Sequence, residues 1–200
     1  MQSIRSIQTI QTTQSKENVI HVEYEDGTIY EGQMKDELKN GFGVVKYPNG
    51  DKYEGDFMND EFHGKGKYIT MEMTYEGEWY RGYCHGFGKE MWEDGSFFQG
   101  YFQNGVKHGN GTYLWGDGSS YEGEWRDGKM EGRGKFVHKN GDIYEGGYQD
   151  GEREGQGKLI FADGRQYNGG FSQGFMNGFG QMTMRDGQMF SGNWRNGHQI

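Results

Sequence analysis

The sequence predicts an all-β fold: a single elongated, twisted antiparallel sheet built of eight consecutive β-hairpin repeats of about 23 residues. Three observations predict it. An aromatic residue with Gly two places on recurs eight times, almost in phase. A Gly-x-Gly pair recurs seven times between these aromatics. Asp-Gly or Asn-Gly precedes seven of the eight aromatics. No helical period competes, and no stretch leaves room for crossover helices.

The repeats begin at Tyr30, Tyr53, Tyr75, Phe98, Tyr121, Tyr144, Tyr167 and Phe190, in steps of 23, 22, 23, 23, 23, 23 and 23. With each of these as slot zero, slot four is always large: Met34, Phe57, Trp79, Phe102, Trp125, Tyr148, Phe171 and Trp194. Slots zero, two and four share one face of a strand, because successive side chains alternate. Slots eleven and thirteen are Gly in the seven repeats that reach so far, from Gly41/Gly43 to Gly178/Gly180. A ring lying flat over a glycine of the next strand would replace the missing side chain. Asp-Gly and Asn-Gly are read as two-residue hairpin turns, which need positive φ at both central residues. The connection around slots six to ten reads as a longer loop. The third repeat is the exception: Glu72 replaces the turn glycine and the step is one residue short.

Before the first repeat, Tyr24 and Val22 fall in the slots of Tyr47 and Val45, while Asn18 and Ile20 stand where the paired glycines would be. Residues 19–27 therefore read as half a repeat, an edge strand that begins the sheet. The array spans residues 19–200 and a polar tail spans 1–18. Ten of the first fifteen residues are Gln, Ser or Thr. Such a tail is disordered alone unless a partner or a fold-back onto the sheet orders it. About sixteen strands follow, roughly 75 Å of sheet at about 4.8 Å per strand.

Composition narrows the function classes. Val, Ile, Leu and Phe total 31 of 200 residues with a net charge of −9, which by itself would read as disorder; aromatics at 16% argue against that. No 18-residue apolar run and no apolar signal segment opens or crosses the chain. Cys84 is the one cysteine, so no intrachain disulfide can form, and a reducing, intracellular setting is expected. Residues 1–22 carry a net +1, leaving −10 on the remainder. An acidic body argues against nucleic-acid binding and against attraction to anionic lipid.

Candidate chemistry is sparse. No Gly-x-Gly extends to a phosphate-binding loop, and no His-Glu-x-x-His or Gly-x-Ser-x-Gly occurs. His63, His85 and His108 share slot ten of successive repeats, about 10 Å apart, too far to ligate one metal. No catalytic residue, metal site or cofactor is expected. Glu31, Glu54, Glu76, Glu122 and Glu145 fill slot one, and Lys67, Lys89, Lys135 and Lys158 fill slot fourteen. They read as cross-strand pairs on a solvated face.

The Tyr-Glu-Gly-x-aromatic run, the Gly-x-Gly pair and the Asp-Gly step together resemble the MORN repeat (membrane occupation and recognition nexus) over about residues 24–197. The resemblance implies a non-catalytic structural scaffold that binds proteins in a cytoskeletal assembly. Radial spoke heads of ciliary axonemes are the best-known setting for chains made almost wholly of such repeats. The alternative it implies is an adaptor that binds membrane lipid, against which the acidic body weighs. Family members that append the repeats to a lipid kinase or a lysine methyltransferase imply an enzyme only where such a domain is present, and these 200 residues leave no stretch for one.

Two partner surfaces are expected. A single-layer sheet has no second layer over its aromatic face. A partner helix or extended segment is therefore expected along that face, anchored by Phe57, Trp79, Phe102, Trp125 and Phe171. The second is the C-terminal edge, residues 175–198. There Phe175, Met176, Phe179, Met182, Met184, Met189, Phe190 and Trp194 gather beside a last strand without a following Gly-x-Gly partner. Open edges recruit strands, so a homodimer or heteromer is expected there, unless residues 197–200 curl back to blunt the edge.

Overall fold

The computed structural model describes residues 4–11 and 18–200. The fold class is the predicted one: antiparallel strands in a hairpin repeat, with no helix among the described residues. The chain divides into two compact units, Met1–Glu93 with Phe102–Gly105, and Asp94–Tyr101 with Val106–Ile200.

The first unit holds β1 (Ile4–Gln11), β2 (Asn18–Tyr24), β3 (Ile29–Lys35), β4 (Leu38–Lys46), β5 (Lys52–Met58), β6 (Glu61–Ile69), β7 (Met73–Tyr80) and β8 (Tyr83–Trp92). Each pairs antiparallel with the next. The strand β9 (Phe97–Gln103) contributes to both units. The second unit holds β10 (Val106–Leu114), β11 (Ser120–Arg126), β12 (Lys129–Val137), β13 (Ile143–Gln149) and β14 (Glu152–Ile160), then β15 (Gln166–Ser172), β16 (Phe175–Thr183), β17 (Met189–Arg195) and β18 (His198–Gln199). These too pair antiparallel in order.

Glycines meet glycines across the strands. Gly32 faces Gly43, Gly43 faces Gly55, and Gly55 faces Gly66. The slot-zero ring fills the space they leave: a Cβ placed on Gly66 would lie 2.5 Å from Tyr53 Cζ. The ring is pinned at its far end, where Tyr53 Oη donates to the Asp56 carbonyl at 2.8 Å. Tyr30, Tyr75, Tyr121, Tyr144 and Tyr167 make the same bond to the slot-three carbonyl of their own repeat. The expected ring-over-glycine packing is therefore the core of each repeat.

The turns are the reverse of the sequence reading. The two-residue turns lie at slots six and seven, where both residues have positive φ: Asp36-Glu37, Asn59-Asp60, Arg81-Gly82 and their successors to Asn196-Gly197. The Asp-Gly and Asn-Gly steps build three-residue loops instead. In the first of them only Gly27 has positive φ, its N–H donates to the Tyr24 carbonyl, and Tyr24 N–H donates to the Thr28 carbonyl. This is a turn closed by a left-handed Gly bulge. Asp26 Oδ1 accepts from Thr28 N–H at 2.8 Å, which explains the acidic or amide residue before the glycine. The short third repeat omits this glycine. Its loop closes from Thr70 to Met73, with Thr70 Oγ1 accepting from the Glu72 and Met73 N–H groups.

Among the described residues there are eighteen strands rather than about sixteen. The strand β2 is not the edge, because β1 folds back and pairs with it from Ile4↔Tyr24 to Gln11↔Asn18. The polar tail thus takes the fold-back course over residues 4–11, and the rest of the tail, 1–3 and 12–17, lies outside the described residues. At the other end, the chain does curl back: β18 pairs with Trp194 and Arg195 and covers that part of β17.

Candidate functional site

The aromatic face is closed by its own side chains. Phe57, Trp79, Phe102, Trp125 and Phe171, expected as partner anchors, are all buried. The slot-four rings Phe57, Trp79, Trp125, Tyr148 and Phe171 each stand edge-on between two slot-zero rings. Phe57 lies 5.1 Å from Tyr53 and 5.4 Å from Tyr30. Trp125 lies 5.2 Å from Tyr121 and 5.2 Å from Phe98. Phe171 lies 5.3 Å from Tyr167 and 4.8 Å from Tyr144. Trp79 and Trp125 also donate Nε1–H to the carbonyls of Gly66 and Gly111. Slot nine covers the slot-zero rings from above. Phe62 stacks on Tyr53 at 3.7 Å, Lys107 Nζ sits 5.1 Å from the Phe98 centroid, and the Arg153 guanidinium sits 5.5 Å from Tyr144. The rings hold hairpin to hairpin, so the absence of a second layer leaves no bare aromatic groove over them. Burial pushes the Tyr144 hydroxyl up to about 12.

Most of the exposed large apolar side chains stand on the other face, among the Glu and Lys columns; Phe190, in slot zero, is an exception on the ring face. That register is as the sequence implied: Glu54 faces Lys67, Lys67 faces Glu76, and Glu76 faces Lys89. In the first unit Phe42 is 52% exposed, Met58 48%, Tyr80 45%, Tyr83 59% and Phe87 44%. Tyr80 and Tyr83 are directly opposite each other on β7 and β8, and His63 and His85 flank Tyr80 at 5.4 and 5.7 Å. Sequence reasoning passed over these residues because it followed the invariant slots. The signal lay in the variable ones: slot twelve carries Lys65, Asn110, Arg133 and Gln156 elsewhere, and slot five carries Lys35, Gln103, Arg126 and Gln149.

The same face has a built-in plug. Slot eleven takes positive φ and bulges the strand, and in the repeats where slot three is Gln33, Asp56, Glu78 or Glu124 its side chain fills the concavity. Gln33 Oε1 accepts from Phe42 N–H at 2.8 Å, Asp56 Oδ2 from Lys65 N–H at 3.0 Å, and Glu124 Oε1 from Arg133 N–H at 2.9 Å. The Asp56 and Glu124 carboxylates are therefore structural.

Of the expected C-terminal set, Phe175, Phe179, Met189 and Phe190 are exposed, Met176 and Met184 are half-buried, and Met182 and Trp194 are buried. Phe175 and Phe179 occupy slots eight and twelve, on the Glu/Lys face. Among the described residues no group of three or more His, Cys, Asp or Glu side chains could hold a metal ion. No helix of the described chain is long and apolar enough to cross a membrane.

Charge separates the units. The first contains 17 acidic and 10 basic residues, a net of −7; the second contains 13 and 11, a net of −2.

The comparisons with known proteins agree with this geometry. The family model described as MORN repeat matches residues 30–52, 53–70, 75–97, 98–120, 121–143, 144–164 and 167–189. No curated protein matches the chain. Among solved structures, the wild-type TCP10 domain of Danio rerio CPAP, in complex with a peptide of Danio rerio STIL, is similar with a TM-score of 0.52 at 16% identity, covering 94% of this chain and 84% of that one. The SAS-4 (dCPAP) TCP domain of Drosophila melanogaster, in complex with a proline-rich motif of Ana2 (dSTIL), has a TM-score of 0.39 at 13% identity, covering 94% and 90%.

Proposed function

We propose that this chain, which belongs to the MORN-repeat family, is a non-catalytic scaffold that binds protein partners within a cytoskeletal assembly of the axonemal, radial-spoke kind. The observation that carries the binding role is the distribution of side chains. The invariant rings up to Tyr167 are consumed by the fold, while Phe42, Met58, Tyr80, Tyr83, Phe175 and Phe179 stand exposed at variable slots. Large exposed apolar side chains grouped among charges mark interaction surfaces. The non-catalytic reading is supported by what the carboxylates do: Asp56 and Glu124 are spent on bulge N–H groups. The TCP10 domain of CPAP, with a STIL peptide, offers a precedent for a peptide-binding sheet of this fold. The cytoskeletal and ciliary setting rests on the resemblance to chains made almost wholly of these repeats.

The test is affinity purification of the chain from ciliated cells at native abundance, followed by mass spectrometry. Recovery of axonemal proteins at fixed stoichiometry is the expected outcome. Recovery of no stable partner, together with lipid-selective flotation on vesicles, would replace this reading with a lipid-adaptor one.

A further inference from the structure

We propose that the Glu/Lys face of the first unit binds a basic, amphipathic segment of a partner protein, seated on Met58, Tyr80 and Tyr83. This rests on the scaffold reading and names the chemistry of one partner.

The three side chains lie on β5, β7 and β8, at the end of the strands that leads into the two-residue turns. Three strand spacings separate β5 from β8, about 14 Å, the length of a short peptide segment. Phe42 and Phe87 extend the patch inward along β4 and β8. Exposed aromatic side chains with few rotatable bonds make effective anchors.

Charge chooses among occupants. The unit carries −7; beside the patch Asp36, Glu37 and Glu61 are exposed together with two cations, Lys35 and Arg81, the latter 5.4 Å over the Tyr80 ring, so acidic side chains outnumber basic ones there as well. Asp60 in the same row is already paired with Lys39 at 3.4 Å. A second copy of this face would bring like charge to like charge, and nucleic acid or anionic lipid would do the same. A segment with Leu- or Phe-type residues toward Tyr80 and Tyr83, and Lys or Arg toward Glu37 and Glu61, satisfies both features. The second unit, at −2, exposes Phe175 and Phe179 without that field.

The test uses the full chain and three labelled synthetic peptides: one of Lys, Arg and Leu, a twin with Glu for every Lys and Arg, and a twin with Ser for every Leu. Only the first is expected to bind, with affinity falling at least about tenfold from low to physiological ionic strength. Tyr80→Ser with Tyr83→Ser should weaken it at least about tenfold, while Phe175→Ser with Phe179→Ser leaves it unchanged. Glu37→Lys with Glu61→Lys, which touches no ring, should weaken it similarly and flatten the salt dependence, so the outcome does not hinge on the tyrosine variant folding. Equal binding of the acidic twin, loss only in the second-unit variant, or no binding of the basic peptide each overturns the proposal. If native purification still returns partners from the Tyr80/Tyr83 variant at full yield, this assignment fails while the scaffold reading stands.

Discussion

Replacing Gly66 with Ala tests the ring-over-glycine core. The new Cβ would lie 2.2 Å from Tyr53 Oη and 2.5 Å from Tyr53 Cζ. Ordinary carbon contacts need about 3.5 Å, so the ring has to move by about 1 Å. It is held on every side: by its bond to the Asp56 carbonyl at 2.8 Å, by the Phe62 stack at 3.7 Å, and by the edges of Phe57 and Trp79 at 5.1 and 5.4 Å. Overpacking of a filled core costs about 1–3 kcal/mol, and a lost hydroxyl bond about 1 kcal/mol more. Gly66→Ala should therefore destabilise by about 2–4 kcal/mol, read as a shift of the urea midpoint followed by circular dichroism. Gly95, whose Cβ would meet nothing within 4 Å, isolates the backbone contribution at φ +83 and should cost about 1 kcal/mol as Ala. In a Tyr53→Ala background Gly66→Ala has no ring to strike, and its cost should fall below about 1 kcal/mol. A Gly66→Ala protein as stable as the parent, or a cost that survives removal of Tyr53, would refute the packing argument.

Four further outcomes follow from the same geometry. Trp125→Ala removes a buried ring and its bond to Gly111, so it should destabilise the second unit by about 3–5 kcal/mol in denaturant titration, far beyond any effect of Phe179→Ser. Glu124→Ala uncaps the bulge at Gly132 and should cost about 1 kcal/mol by the same assay, whereas Glu124→Gln, which keeps the oxygen, should stay within about 0.5 kcal/mol. Stability should fall as pH rises from the ordinary tyrosine value of 10 toward about 12, because burial first, and for Tyr68 also the bond to Asp51, hold the folded hydroxyls of Tyr144 and Tyr68 protonated while the unfolded chain ionises. Tyrosinate absorbance rising cooperatively with loss of the β signal would show this, and independent, non-cooperative titration near 10 would contradict it. Flotation with phosphoinositide-containing vesicles at physiological salt should leave the chain in the soluble fraction, given its net charge of −9.

The fold was legible because its signals are local and repeated. Glu54 facing Lys67, and the tyrosine rings over paired glycines, follow from alternation and a 23-residue period alone. The turn types were not legible from the Asn-Gly signal. A two-residue turn asks for two residues with positive φ, and Asp36-Glu37 and Asn59-Asp60 supply them without glycine. The Asp-Gly step needs only its glycine to be left-handed, because the Asp side chain then caps the following N–H. The β1 strand carries no repeat signature, and its register against the next strand, β2, is one that a Gln-, Ser- and Thr-rich stretch does not specify. The expected anchors are buried for a packing reason. Facing strands in adjacent repeats bring slot-four rings within 4.8–5.4 Å of two slot-zero rings, as Phe171 and Phe57 show, so a single layer can still bury its aromatics.

That packing also decides where recognition can reside. Within each unit slots zero, two, four and thirteen interlock, so a change in a buried ring is felt by the neighbouring hairpin. Slot three, as Gln33, Asp56, Glu78 and Glu124, is tied to the bulge, and slot nine lies over the rings, as Phe62 and Arg153 do. Slots five, eight and twelve have no such duty: they hold Lys35, Met58 and Tyr80 in one case, Leu38, Glu61 and Tyr83 in the next, and Phe42, Lys65 and Phe87 in the third. Residues there change the surface without changing the fold, so each repeat can present a different side chain at a fixed spacing. A partner reading such a sheet reads the exceptions to the repeat rather than the repeat itself. In this chain those exceptions concentrate at Met58, Tyr80 and Tyr83 in the acidic unit, and at Phe175 and Phe179 in the near-neutral one.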